Sequence, residues 1–205
     1  MDLRENIIQK AGELFTINGI RQVTMDTIAQ SLGISKRTIY ENFKDKNDLL
    51  LNFLSEAIMN HKKKSIKIMK NADNVIDALF LFGDFNQRVF NKINPAFFDD
   101  IKKYHPDIFH SILNSGQTRN HEITYTILKR GINEGIFRKE IDIEIANLYI
   151  HHSMEFFHKI EKEQQCSHAK IWHSVHLPYL RGICTEKGQE LVNKLVNKHE
   201  NLENN

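Results

Sequence analysis

Gly33 separates two short stretches of helical pattern, and this arrangement constrains the fold more than any other feature of the sequence. Thr24 and Ser35 stand where helix N-caps are expected, directly before segments 25–32 and 36–43. Glycine readily adopts the left-handed backbone conformation that a tight turn between two helices requires. The pattern therefore predicts two short helices joined by a glycine turn, which is a helix-turn-helix.

The second of these helices has a polar face whose side chains are suited to DNA. If Ile39 and Phe43 face inward, the opposite side of the helix is exposed to solvent near its N-terminus. That side carries Lys36, Arg37, Thr38 and Glu41. Arginine presents two parallel donors to guanine, so Arg37 is the leading candidate for a base contact. Lys36 and Tyr40 are better suited to phosphate.

A further helix begins just after this unit. Asp45 is expected to cap a helix that starts at Lys46, which places an ammonium group and free backbone N–H groups at a helix N-terminus. Such an end attracts phosphate, so Lys46 is a candidate DNA-backbone contact. Taken singly, Thr24 and Ser35 could serve only as caps, and Tyr40 could pack against the first helix. The coincidence of a basic face, a tight turn and a phosphate-seeking helix start favours DNA binding.

The first fifty residues resemble the TetR (tetracycline-repressor) family. The resemblance rests on an ordered series of motifs: Ala11-x-x-Leu14-Phe15, Gly19, Thr24-Met25-Asp26-Thr27-Ile28-Ala29, Leu32-Gly33-Ile34-Ser35-Lys36-Arg37-Thr38-Ile39-Tyr40 and Phe43-x-x-Lys46-x-x-Leu49. It implies a three-helix DNA-binding head, an obligate homodimer and a helical ligand-sensing body. It also implies phosphate contacts by Thr24, Tyr40 and Lys46, with Ser35, Lys36, Arg37 and Thr38 at the recognition-helix end. The family more often has a glycine where Arg37 stands.

Composition favours long helices over short strands. The 205 residues include only three prolines and nine glycines, and 40% of them are hydrophobic. We therefore expect an all-α protein, with a helix-turn-helix DNA-binding domain over residues 1–47 and a helical effector-binding and dimerisation domain over 48–205. The net charge of only +2 means that any DNA-binding charge must be local.

Two segments of the second domain have the character of dimer-forming helices. Residues 141–161 are apolar on more than one stripe, which calls for burial against both their own domain and a partner. Residues 168–183 are also rich in apolar side chains, and Pro178 is expected to kink their helix. In the TetR family two such helices of each subunit form a four-helix interface. The candidate interface residues are Tyr149, His152, Phe156, Trp172, Val175 and Tyr179.

Phenylalanines concentrate between residues 80 and 109, and they could line a cavity for an apolar effector. The candidate pocket residues are Phe82, Phe85, Phe97, Phe109 and Phe157. The alternative, that these rings are ordinary core, is the commoner fate of large apolar side chains at helical spacing. The eleven histidines suggest a metal site, but neither cysteine nor carboxylate accompanies them at a zinc-ligand spacing, so we expect no metal and no cofactor.

These features predict a one-component transcriptional regulator that binds palindromic operator DNA as a homodimer. Repression is the expected effect, and a small-molecule effector of unknown identity is the expected signal. No nucleophile motif, phosphate-cradling glycine loop or paired carboxylates suggest an enzyme. The sequence lacks a leader-like N-terminus and any long apolar run, so we expect a cytoplasmic protein without a membrane partner. The alternative is a helical protein-interaction adaptor that has lost specific DNA binding.

Overall fold

The structure is a computed structural model, and it describes the backbone of residues 2–114, 121–164 and 167–203. Side chains are described for residues 2–110, 122–153, 167 and 169–198. The helices are α1 (Leu3–Asn18), α2 (Met25–Leu32), α3 (Lys36–Asn42), α4 (Lys46–Asn71), α5 (Val75–Phe90), α6 (Pro95–Tyr104), α7 (Pro106–Asn114), α8 (His121–Asn133), α9 (Ile143–Gln164), α10 (His168–Ile171), α11 (Leu177–Ile183) and α12 (Glu186–Glu203). The predicted all-α fold class is confirmed.

The chain divides into two compact units. The first comprises Met1–Ser65 and Asp84–Thr118, and the second comprises Ile66–Gly83 and Arg119–Asn205. Helices α4 and α5 each have residues in both units. The functional division after residue 47 that we expect from the sequence stays a prediction.

The core of the first unit forms around α1. Ile7, Ile8, Ala11 and Phe15 recur at helical spacing and are buried, so one stripe of α1 faces the core. Gly12 lies on the same helix where a Cβ atom would overlap the Phe53 ring, so glycine permits α1 and α4 to approach closely. The other buried side chains of this core come from α2, α3, α4, α6 and α7, and from Ile20, Val23 and Phe43 in the segments between helices.

The second unit has its own core, and a charged side chain joins three of its elements. Arg130 of α8 donates from Nε to Glu134 Oε1 at 2.5 Å, from Nη2 to the Ala72 carbonyl at 2.8 Å, and from Nη1 to the Met69 carbonyl. Glu134 Oε2 in turn accepts the N–H of Val75, the first residue of α5, at 2.8 Å. Arg130 and Glu134 therefore hold the end of α4 and the start of α5 against α8.

The region around Pro178 differs from a simple kinked helix. The structure has α10, then a π-helical turn over Trp172–His176, then α11. The Leu177 N–H donates to the Trp172 carbonyl, five residues back. Proline has no N–H to donate and disfavours a regular α-turn before it, so the widened turn is where the helix adapts to Pro178. Among the helices described, none has the length and apolarity needed to span a membrane.

Candidate nucleic-acid interface

Hydroxyl caps fix the starts of the two helix-turn-helix elements. Thr24 Oγ1 accepts the Thr27 N–H at 3.0 Å, and Ser35 Oγ accepts the Thr38 N–H at 3.1 Å. Each capping hydroxyl also lies 2.8 Å from the hydroxyl of the threonine it caps. The N-cap roles expected from the sequence are therefore present, and each cap is a hydroxyl pair at an exposed helix start.

The glycine turn sets the angle between α2 and α3. Gly33 has φ of 67° and ψ of 28°, the left-handed conformation that glycine adopts without a Cβ clash. The next residue, Ile34, donates its N–H to the Ala29 carbonyl at 3.1 Å and so closes the turn. Ile39 and Phe43 are 0% and 2% exposed, and they anchor the inner side of α3 in the core. Because Ile39 and Phe43 face the core, the opposite side of α3 faces solvent.

The outward side of α3 is basic and accessible. Arg37 has a side chain that is 88% exposed and pairs with Glu41, one turn later, at 3.1 Å. Lys36 pairs with Asp26 of α2 at 2.6 Å, and this hydrogen bond raises the pKa of the lysine. Tyr40 is 47% exposed. Since surface ion pairs contribute little, Arg37 and Lys36 can exchange their carboxylate partners for DNA groups at small cost.

Lys46 lies in a different environment from these side chains. Its Nζ is 5.9 Å from the centroid of the Phe15 ring, and the residue is half-buried. Burial lowers the pKa of Lys46, while the Asp100 carboxylate opposes that shift. Asp45 caps α4 by accepting the Asp48 N–H at 2.9 Å. The expected helix start is therefore present, and the phosphate contact by Lys46 stays a prediction.

Two further polar residues belong to this surface and were missed in the sequence. Thr27 is exposed, and its hydroxyl pairs with that of Thr24. Lys44 is exposed on the turn between α3 and α4, and its backbone N–H donates to Asp48 at 2.9 Å. The i+3 spacing from Thr24 and the position just before the α4 cap are the sequence signals that could have identified Thr27 and Lys44.

The candidate dimer residues of the second unit have mixed exposure. Tyr149 is 46% exposed and its ring centroid lies 4.8 Å from that of Tyr179, whose phenol pKa is raised by burial. His152 is exposed, and Val175 is half-buried. Trp172 is half-buried and packs edge-on against Phe80, with centroids 5.8 Å apart. The side chain of Phe156 lies outside the described residues.

An exposed apolar row on α9 extends this candidate surface. Ile145 is 67% exposed and Leu148 is 52% exposed; both belong to segment 141–161, which we expect from the sequence to pack against a partner, but neither is among the candidate interface residues. With Tyr149 and His152 they have the spacing i, i+3, i+4 and i+7, which places them on one face of a helix. The signal that could have identified Ile145 and Leu148 was this spacing relative to Tyr149.

The candidate pocket phenylalanines have different surroundings. Phe97 is 3% exposed in the core of the first unit, and Phe109 packs against that core. Phe85 stacks on His61 with centroids 5.0 Å apart. Phe82 is half-buried in the second unit, and the side chain of Phe157 lies outside the described residues. Their role in effector binding stays a prediction.

Comparison with known proteins shows which family the helix-turn-helix segment resembles. The model described as "Bacterial regulatory proteins, tetR family" matches residues 7–53, which contain the caps, the glycine turn and the start of α4. This segment of the chain is similar to the TetR family. The HTH-type transcriptional repressor KstR2 of Mycolicibacterium smegmatis is 23% identical over 152 residues, which are 72% of this chain and 73% of that protein.

Other relatives of this protein match over different extents. An HTH-type transcriptional regulator of Staphylococcus aureus is 44% identical over 46 residues, which are 22% of this chain and 25% of that protein. A crystal structure of a TetR-family transcriptional regulator from Marinobacter aquaeolei has a TM-score of 0.69 at 18% identity, covering 97% of this chain and 98% of that one. That likeness shows the fold. The relatives named here are transcriptional regulators.

Proposed function

We propose that this protein is a TetR-family, one-component transcriptional repressor in the cytoplasm that binds a palindromic operator as a homodimer. The observation that carries the proposal is the outward side of α3. Arg37 projects into solvent there, while Ile39 and Phe43 fix the helix in the core. A helix held in this way can enter the major groove with its N-terminal residues against base edges. KstR2, the relative matched over most of this chain, is named a repressor.

The base and phosphate contacts are assigned by chemistry. Arg37 is proposed to contact a guanine, because its guanidinium presents paired donors and, within the described part of the chain, Glu41 is the carboxylate that competes for them. Thr24, Ser35, Lys36, Thr38, Tyr40 and Lys46 are proposed to contact DNA around it. Lys46 must turn its ammonium group away from Phe15 to reach a phosphate, unless the backbone N–H groups of the α4 start make that contact.

Binding to the protein's own upstream promoter DNA tests the DNA-contact assignments. Arg37→Ala is expected to blur sequence preference, since a bidentate base contact contributes about 1–3 kcal/mol of discrimination. Lys46→Ala is expected to weaken all sequences alike and to lower the salt dependence by about one counterion. Arg138→Ala, an exposed arginine of the second unit, is the matched control and should leave binding unchanged. If the wild-type protein shows no preference for any promoter fragment, the proposal is contradicted and the interaction-adaptor alternative is favoured.

The homodimer is proposed to use the exposed row of α9 together with Tyr179 and neighbouring residues of the π-helical turn. An exposed apolar face on a soluble helix marks an interaction surface, and a two-fold operator requires a two-fold protein. Leu148→Glu is therefore expected to convert the dimer into a monomer in sedimentation analysis. Leu81→Glu places the same charge on α5 at a residue that is 47% exposed, and it should leave the dimer intact. Equal masses for wild type and Leu148→Glu would contradict this interface.

The proposed effector is a small molecule that binds the helical region following the head. It must bind the DNA-competent and DNA-incompetent states unequally, because equal binding shifts no equilibrium. Helix α4 begins at the DNA interface with Lys46 and continues to Asn71, so it is the proposed carrier of the change. The dimer is expected to hold its recognition helices roughly 34–36 Å apart when bound to DNA. A change in that spacing would lower affinity.

A further inference from the structure

Helix α6 is joined to the end of α1 by polar contacts that the DNA-binding role does not use directly. The Asn94 backbone N–H donates to the Thr16 carbonyl at 2.8 Å, and its Nδ2 donates to the Ile17 carbonyl at 3.0 Å. Thr16 and Ile17 belong to the last turn of α1, where carbonyls lack partners within the helix. The N-cap residue of α6 thus satisfies the C-terminal end of α1.

Asp100, further along α6, holds the loop that follows α1. Its Oδ2 accepts the backbone N–H of Arg21 at 2.8 Å, across 79 positions of sequence. The same oxygen lies 3.1 Å from the place where a Cβ atom of Gly19 would stand, and Gly19 has φ of 81°. A larger residue at position 19 would therefore crowd the carboxylate as well as strain the backbone.

The side chain of Arg21 is held from the same helix. Its guanidinium lies 5.4 Å from the centroid of the Tyr104 ring and donates to the Tyr104 hydroxyl at 3.3 Å. Asp100 and Tyr104 are one helical turn apart, so one face of α6 binds both the backbone and the side chain of Arg21. Among the described residues, Lys46 and His105 also interact electrostatically with Asp100.

The held loop leads directly into the helix-turn-helix. Ile20 and Val23, on either side of Arg21, are 0% and 1% exposed, and Thr24 then caps α2. We infer that Asp100 is a positioning residue for operator binding, which acts through the backbone of Arg21 to fix the start of α2. The inference rests on the proposed function and adds a residue of α6 that lies outside the matched DNA-binding segment, residues 7–53.

Losing the charge of Asp100 and losing its hydrogen bond to Arg21 are expected to change DNA affinity in opposite directions, which makes the inference testable. Removing a carboxylate makes the protein more positive and by itself favours binding to DNA. Asp107→Ala removes an exposed carboxylate from the neighbouring helix α7 and is the matched control for this effect. Asp100→Ala removes the same charge together with the acceptor for Arg21. We expect Asp100→Ala to weaken binding to the promoter fragment about tenfold, the cost of fixing roughly one residue of backbone on binding.

Asp100→Asn distinguishes the hydrogen bond from the charge. Its amide oxygen still accepts the Arg21 N–H, so most of the affinity should return. Hydrogen exchange of the Arg21 amide, followed by NMR, should be faster in Asp100→Ala than in wild type and near the wild-type rate in Asp100→Asn. The slope of affinity against salt should be unchanged in both variants, because no phosphate contact is removed.

Affinities are measured well below the melting temperature, with the active fraction of each variant set by stoichiometric titration. If Asp100→Ala does not fold, Asp100→Glu, which displaces the carboxylate, is compared with Asp107→Glu and should also bind more weakly. If the wild type binds the promoter fragment and the Asp100 and Asp107 variants bind it with equal affinity, the inference is overturned but the proposed function is not. A wild type that binds no promoter fragment would overturn the proposed function and this inference with it.

Discussion

Replacing Arg130 by methionine tests the polar junction of the second unit. Methionine keeps much of the aliphatic length and removes the guanidinium. Three hydrogen bonds are then lost, one to Glu134 and two to the carbonyls of Met69 and Ala72. Those carbonyls stand at the end of α4, where helix carbonyls lack intrahelical partners. The Glu134 carboxylate keeps its hydrogen bond from the Val75 N–H.

The expected loss of stability follows from the chemistry and the exposure of this junction. Hydrogen bonds to a charged group contribute about 1.5–3 kcal/mol each, and bonds from one side chain do not add fully. The side chains of Arg130 and Glu134 are 28% and 25% exposed, so water replaces part of what is lost. We expect Arg130→Met to lower the free energy of unfolding by about 3 kcal/mol. For a chain of this size that corresponds to about 6–12 °C in the melting temperature.

Trp172 provides the assay, because it is the single tryptophan of the chain and lies in the second unit with Arg130. Urea unfolding followed by its fluorescence, at one fixed protein concentration, reports the unit that contains the junction. Arg130→Lys keeps the charge but not the fork of donors and should lose an intermediate amount. Arg138→Met, at an exposed arginine of the same unit, is the control. The reasoning would be refuted if the free energies of unfolding of Arg130→Met and Arg138→Met differed by less than about 0.5 kcal/mol.

Variants at three further residues, with Gly182→Ala as a control, test packing and titration. Gly131→Ala should destabilise the protein by about 1–3 kcal/mol, because the added Cβ atom would overlap the Phe137 ring. Gly182→Ala adds a Cβ atom to a helix position with open space around it, so it should be neutral or stabilising. Equal unfolding midpoints for the two variants would contradict this. Cys184 is 3% exposed and burial raises its pKa from 9.0 to about 11, so its stability contribution, measured against Cys184→Ala, should be complete below pH 9 and lost as pH rises toward 11. Burial lowers the pKa of His105, so its contribution, measured against His105→Gln by thermal melting, should be complete above about pH 6.5 and fall with the pH; a constant difference from pH 7.5 to 5.5 would argue against it.

The sequence by itself determined the helix-turn-helix in detail. The N-caps Thr24 and Ser35, the turn at Gly33 and the inward side of α3 were all predicted, and the structure has them at those positions. The physical reason is that helix hydrogen bonds join residues four apart and cap bonds join residues three apart. Local spacing therefore carries this information. The sequence also predicted an irregularity at Pro178, but not its form as a π-helical turn.

Only the tertiary structure decided which distant groups meet. Arg130 reaches the Met69 carbonyl across 61 positions, and Asp100 reaches the Arg21 amide across 79. The half-buried position of Lys46 over Phe15 likewise depends on how α4 packs against α1. Charged side chains on a helix show no periodicity that distinguishes a solvated head group from one bound to a distant carbonyl or amide. Such contacts arise from the packing of whole helices, which residue spacing along one segment does not encode.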